Sequence, residues 1–289
     1  MSHFSVLIIG ENPEEQLQKY HDFRCTGTED KYVKEIDVTK EALERVKGCG
    51  IYQTLKFYQL YNEALNKYAV IEDEQDIDIK NKHKYGYAIV QDGKLVKLVI
   101  RTNPDKKWTC YSPDCVFLLK NGSIASKALK KDIDFETVIN NTCLEAEKEY
   151  DKFQTFLSSN NLEFPKTWEE CKAEFKTYEK ADKFYLKQKA VKKFKKCHYA
   201  YEFSDLIQVS DLFNEDPFEY FGKSKEDFIE HLKYQNVLTY AVLKDFEWFS
   251  SCDPIIWEGF DIKNWIDKFW ELVNGVSDDT MFSLYNCHI

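Results

Sequence analysis

The sequence predicts a mixed α+β chain: a small antiparallel sheet in its first part, then a mostly helical part with a long bridging helix. Three observations lead there. Two strand-like runs, residues 85–91 and 94–101, flank Asp92-Gly93, a pair suited to a tight hairpin turn with positive φ. After about Asp132 the apolar spacing becomes helical. Thr167-Trp168-Glu169-Glu170 has the form of a capping box opening a helix drawn to about His198. At 1.5 Å per residue such a helix spans roughly 45 Å, long enough to join two lobes. The change of pattern divides the chain into an N-terminal α+β domain, residues 1–132, and a helical C-terminal domain with a terminal strand, residues 133–289.

In chain order, Phe4-Ser5-Val6-Leu7-Ile8-Ile9 is β-branched and closed by Gly10, as a buried strand is. Asn12-Pro13 starts a short helix running to about Tyr20. Thr39 caps a helix over residues 40–47 that Gly48 and Gly50 stop, and a helical stretch follows over 51–68. The acidic run from Glu72 to Asp78 is an exposed loop, and the hairpin comes next. Further strands are expected at 108–110 and 115–120. Residues 135–158 read as one helix. Beyond the long helix, shorter ones are expected at 205–213, 225–234, 237–246 and 261–273, with a strand at 281–289. Trp168, Cys171, Phe175 and Tyr178 share one face at helical spacing. Trp248, Trp257, Trp265 and Trp270 are expected to build the core of the C-terminal domain.

Composition narrows the function. Hydrophobic residues make up 43% and aromatics 16% of 289 residues, too apolar for a disordered chain. No run approaches the roughly 20 apolar residues that span a bilayer, and the apolar N-terminal run is too short for a signal peptide. Nine scattered cysteines fit buried thiols in a reducing compartment, here the cytoplasm. A formal charge of −10 argues against general nucleic-acid binding, so no direct nucleic-acid partner is expected.

Candidate motifs each have a plainer reading. Gly222-Lys223-Ser224 resembles the tail of a phosphate-binding loop, but Pro217 stands where that loop needs glycine. A turn with Ser224 capping a helix and Asp227 at the capping-box position is preferred. Cys110 and Cys115 form only a loose pair, short of a zinc site, and no metal or other cofactor is expected. Cys197-His198 and Cys287-His288 are adjacent pairs whose side chains diverge, so no catalytic couple is assigned. Residues 183–196 carry seven lysines, read as a solvated helix face over an apolar stripe in preference to a nucleic-acid surface. The rings of Tyr199, Tyr201 and Phe203 are assigned to partner binding, with Phe184, Tyr185 and Phe194 as further contact residues; core packing is the other reading.

The chain's ends carry a resemblance. The opening from Met1 to Leu17, with His21-Asp22-Phe23-Arg24-Cys25-Thr26-Gly27, the stretch from Tyr32 to Thr39 and the tail Asn286-Cys287-His288-Ile289, resembles a family of phage and prophage proteins. In size and organisation the chain looks like the phage anti-Gabija proteins. Gabija is a bacterial antiphage complex of an ATPase-nuclease and a helicase-like subunit. The resemblance implies a non-enzymatic inhibitor that self-assembles around that complex in the host cytoplasm and blocks DNA binding and cleavage. The expected partners are thus the host complex and further copies of the chain. The alternative from another class is an uncharacterised phage enzyme or a nucleic-acid-binding accessory protein.

Overall fold

The structure, a computed structural model, describes residues 3–22, 25, 28, 30–62, 67–199, 217–250 and 262–288. In chain order the first elements are β1 (His3–Ile9), α1 (Pro13–Gln18), β2 (Lys34–Asp37), α2 (Thr39–Cys49) and α3 (Ile51–Phe57). Then come β3 (Tyr61–Asn62), β4 (Lys67–Tyr68), β5 (Val70–Ile71), β6 (Gly86–Gln91), β7 (Lys94–Thr102) and β8 (Cys110–Ser112). Three short strands follow, β9 (Phe117–Leu118), β10 (Ile124–Ala125) and β11 (Lys127–Leu129). The helices are α4 (Phe135–Ser159), α5 (Trp168–Glu174), α6 (Tyr178–Tyr185), α7 (Lys189–Tyr199), α8 (Pro217–Phe221) and α9 (Lys225–Leu232). The chain ends on β12 (Ala241–Lys244), β13 (Glu247–Ser250), α10 (Ile262–Asn274) and β14 (Met281–His288). The α+β class read from the sequence is correct, and the longest helix among the described residues is α4.

The chain forms two compact units, and the division differs from a single cut near Asp132. One unit comprises Met1–Phe117, Ala125–Lys131 and Thr239–Ile289; the other comprises Leu118–Ile124 and Asp132–Leu238. The last fifty residues therefore belong with the first, because β14 pairs antiparallel with the whole of β1, from His3↔His288 to Ile9↔Phe282. The tryptophans follow: Trp248 and Trp265 lie in this first unit and not in a helical C-terminal domain, while Trp257 falls outside the described residues.

The sheet built on that pair runs β11-β14-β1-β12-β13, with β8 also paired to β14. β1 and β12 are parallel, and central strands covered on both faces read as continuous apolar runs, as Val6-Leu7-Ile8-Ile9 does. Phe4, Val6, Ile8, Ala241, Leu243, Tyr285 and Cys287 pack against Leu17, Tyr20 and Trp108. On α10 the buried Trp265, Phe269, Leu272 and Val273 fall at helical spacing.

Residues 237–246, expected as a helix, instead form the β12–β13 hairpin. Its two-residue turn, Asp245-Phe246, has φ of 52° and 63°, as a type I′ turn requires, yet contains no glycine. Tertiary hydrogen bonds hold it. The Phe246 carbonyl accepts from Lys19 Nζ and from the Tyr20 hydroxyl at 2.8 Å each, and the Phe246 N–H donates to Gln16 Oε1 at 3.3 Å.

The second sheet, β2-β7-β6-β5, contains the hairpin foreseen at Asp92-Gly93, with φ of 51° and 72°. Gly86 opens β6 at φ 127°, where a Cβ would sit 2.2 Å from the Val99 carbonyl oxygen, so only glycine fits. α2 and α3 supply Ala42 and Leu55 to a core with Leu60, Ala88 and Leu98. The helix expected over 51–68 stops at Phe57 and gives way to the short pair β3–β4.

In the helical unit α4 buries Thr142, Ala146, Glu149, Phe153 and Leu157, one stripe at spacings of four and three. Phe153 stacks on Phe221 at 3.9 Å, Phe221 stacks on Phe228 at 4.9 Å, and Phe194 and Phe218 meet Phe153 edge-on. Thr167 does form both halves of its capping box, but the helix it opens is short. Residues 167–198 make three helices instead of one bridge. Phe175 and Thr177 are extended, which lets α6 fold back so that the Phe175 and Phe184 rings meet at 5.1 Å. The second break is pinned by Gln188, whose side chain accepts from the Lys166 N–H and donates to the Lys166 carbonyl, both at 2.8 Å. Ser224 caps α9, its hydroxyl oxygen accepting from the Asp227 N–H at 3.1 Å. The helix expected at 205–213 lies outside the described residues.

Phe282, fully buried on β14, is central to the first unit. Phe282→Ala is expected to cost about 3–5 kcal/mol of unfolding free energy. Phe184→Ala, at a ring 38% exposed, is expected to cost under about 1 kcal/mol. Urea unfolding of the two variants checks the contrast.

Candidate functional site

Of the six rings assigned to partner contact from the sequence, the structure describes the side chains of Phe184, Tyr185 and Phe194. Phe194 is 1% exposed and Tyr185 is 9% exposed; both belong to the helical core. Neither offers a partner more than a sliver of surface, so that assignment is corrected for these two. The cause is periodicity: on α7, Ala190, Val191 and Phe194 form its buried stripe. Phe184 is partly exposed. Tyr199 ends α7, and its side chain, with Tyr201 and Phe203 entirely, lies outside the described residues.

The structure points instead to an apolar surface on α2 and α3 that sequence reading did not single out. Tyr52 is 67% exposed, Phe57 56% and Leu43 39%. The Arg45 guanidinium lies 3.4 Å from the centre of the Phe57 ring, and Tyr52 meets Tyr68 at 5.2 Å. The geometry follows from local sequence. Thr54 and Leu55 face the sheet, which turns Tyr52 and Phe57 outward. Exposed tyrosine and phenylalanine rings, one of them stacked under an arginine, are the chemistry of protein-interface anchors: large apolar area, few rotamers to freeze, and a cation that stacks.

A second feature is a 690 Å³ cleft in the same unit, walled by Tyr20, Trp248, Phe249 and Trp265 with Asp105, Lys107 and Lys268. The Trp265 indole N–H donates to the Thr239 carbonyl at 2.8 Å, and Lys268 lies 5.5 Å from the Phe249 ring centre.

Glu14, Lys127 and Tyr285 form a hydrogen-bonded cluster of titrating groups. Glu14 Oε1 accepts from the Tyr285 hydroxyl at 2.5 Å and from Lys127 Nζ at 2.8 Å. Those two donors, Lys127 first, hold the Glu14 carboxyl down to about 2, against the opposing effect of burial. Burial and the Glu14 bond push Tyr285 up to about 12. The arrangement keeps the carboxylate charged and the phenol protonated, which makes it a clamp between α1, β11 and β14.

The cysteines are sorted by burial. The Cys287 thiol is fully buried and pushed up to about 12, first by burial and then by Cys115 and Cys110. Burial also raises Cys115 and Cys25, whose Sγ lies 2.9 Å from the Arg101 carbonyl. Among the described residues no group of three or more His, Cys, Asp or Glu is placed to hold a metal ion. No helix among them is long and apolar enough to cross a membrane.

Comparison with known proteins adds no relative: no family model, no curated protein and no solved structure matches the chain.

Two outcomes follow. Alkylation of the native protein should modify the exposed Cys49 and Cys110 and spare Cys25, Cys171 and Cys287 until denaturant is added, read by peptide mass. Glu14 has a depressed folded-state pKa, so its contribution is present above the unfolded value near 4.5 and fades as pH falls toward about 2. The clamp is half-exposed, so Glu14→Gln should cost only about 1 kcal/mol or less at pH 7. In urea titrations its deficit against wild type should shrink steadily below pH 4.5.

Proposed function

We propose that the protein acts by stoichiometric protein binding, as a phage-encoded, non-enzymatic inhibitor of a bacterial antiphage nuclease–helicase complex of the Gabija type. Working in the host cytoplasm, it assembles with further copies of itself around the complex and blocks DNA binding and cleavage. The observation that carries the binding reading is the exposure of Tyr52 and Phe57 on α3, with the Arg45 guanidinium of α2 stacked on the Phe57 ring. The resemblance of the two chain ends supplies the identity of the target. The residues that carry it have scaffold roles: Phe4 to Ile9 and Cys287-His288 pair in the central ladder, and Gln16 and Cys25 are buried hydrogen-bonding groups.

A stoichiometric binder titrates. Nuclease activity of the purified complex should fall in proportion to added protein and reach its floor at a fixed molar ratio. Tyr52→Ala with Phe57→Ala should weaken capture of the complex by roughly thirtyfold or more while the thermal unfolding temperature stays nearly unchanged. Catalytic action at substoichiometric amounts, or full capture by the folded double variant, would count against this reading.

A further inference from the structure

Charge is spread very unevenly along this chain. Residues 176–196 hold nine lysines against two acids, a net of +7 in a chain whose formal total is −10, which leaves −17 for the rest. The overall acidity that argued against nucleic-acid binding averages over this concentration.

The fold keeps the lysines outward. On α7, Ala190, Val191 and Phe194 are sealed in the core, so the helix cannot turn to hide Lys189, Lys192, Lys193, Lys195 and Lys196, all of them exposed. The remaining four lie on α6 and its flanks and are exposed too. On other helices several lysines pair with a glutamate three residues away, among them Lys47 with Glu44, Lys172 with Glu169, Lys233 with Glu230 and Lys268 with Glu271. α7 contains no acid at all, and none of its five lysines makes an ion pair among the described residues. They instead neighbour one another at spacings of three and four, Lys189 beside Lys192 and Lys193, Lys192 beside Lys195 and Lys196. Such like-charge pairs weaken a helix until an anion screens them. From Lys189 to Lys196 the rise along the axis is about 10 Å, about three steps of roughly 3.4 Å and so the span of about four successive phosphates along a strand.

The neighbouring rings favour one polyanion. On α6, Tyr178 is 71% exposed and Phe184 38%. Exposed lysines and partly exposed rings on two consecutive helices are the two kinds of group that a single nucleic-acid strand uses, phosphates on the lysines and bases on the rings. An acidic peptide or an anionic membrane satisfies the lysines alone. We infer that the α6–α7 face binds single-stranded nucleic acid through its phosphate backbone, with Tyr178 and Phe184 as stacking platforms. This surface is separate from the protein-binding reading and stands or falls without it.

The test is fluorescence anisotropy with a labelled 20-nucleotide single strand and its duplex, from 50 to 200 mM salt. The single strand should bind more tightly than the duplex. Its log-affinity should fall with log salt at a slope of roughly −3, as four phosphate contacts at about −0.7 each require. K189Q/K192Q/K193Q/K196Q, which preserves helix propensity, should bind at least about tenfold more weakly and flatten that slope. K80Q/K82Q, at exposed lysines of the other unit, should bind as wild type does. Tyr178→Ala with Phe184→Ala should weaken the single strand several-fold and leave the salt slope unchanged. If circular dichroism shows the fourfold variant misfolded, K192Q/K196Q carries the same comparison. Absence of strand binding at 50 mM salt, indifference to the lysine variants, preference for duplex, or capture by polyglutamate or phosphatidylserine vesicles in place of the strand would each overturn the inference.

Discussion

The ladder between β1 and β14 fixes the first unit. It pairs residues from opposite ends of the chain, His3 with His288 and Ile9 with Phe282. Closing a loop that long costs entropy that grows only slowly with length, and a strand pair buried on both faces offsets it. Other features hang from this pair. β12 and β13 extend the sheet on the β1 side, while β11 and β8 share the outer edge of β14. α1 lies against the sheet through Leu17, and the Glu14 clamp ties that helix to Tyr285 and Lys127. The chain leaves this sheet after β11 and re-enters it at β12, with the helical unit formed in between. A helical unit built on its own phenylalanine core shortens the stretch that must be searched before the ends meet.

Local chemistry made much of this legible. The apolar run ending at Gly10, the Asp92-Gly93 turn and the Ser224 cap each mark their element within a few residues, the Thr167 box marks where its helix begins, and the helix expected at 261–273 is α10. What could not be read is what distant groups decide. The β12–β13 turn uses Asp245-Phe246, which carries no glycine signal; its positive φ angles are sustained by Gln16, Lys19 and Tyr20 more than 200 residues away. The stretch 167–198 shows continuous helical spacing, yet a single long helix would leave its apolar stripe without a partner. Folding into α5, α6 and α7 buries Cys171, Ala181, Tyr185 and Phe194 in one core. Periodicity showed which residues share a face but not where the helix breaks.

The candidate surfaces were less legible than the fold, for a related reason. Aromatic residues serve cores and interfaces alike, and sequence does not separate the two. Phe194 and Phe57 are the same residue and both lie on helices, yet one is sealed among phenylalanines and the other lies open under an arginine. Exposure is a property of the packed molecule. Net charge misleads similarly: a chain total reports the average surface, whereas a partner meets one face of it.

The two surfaces sit on different units and rest on different forces. Tyr52 and Phe57 offer apolar area and a stacked guanidinium, whose binding free energy comes from excluding water and responds weakly to salt. The α7 lysines offer charge, whose contribution comes from releasing counterions and is strongly screened. A single association that used both would weaken with salt to a floor set by the aromatic contact. Two independent associations would show one salt-sensitive and one salt-insensitive affinity. Salt dependence, measured separately for a protein partner and for a strand, therefore separates a chain with one composite interface from a chain with two. α7 itself contains no acid and its lysines make no ion pair among the described residues, whereas lysine–glutamate pairs occur on α2, α5, α9 and α10, and this favours two.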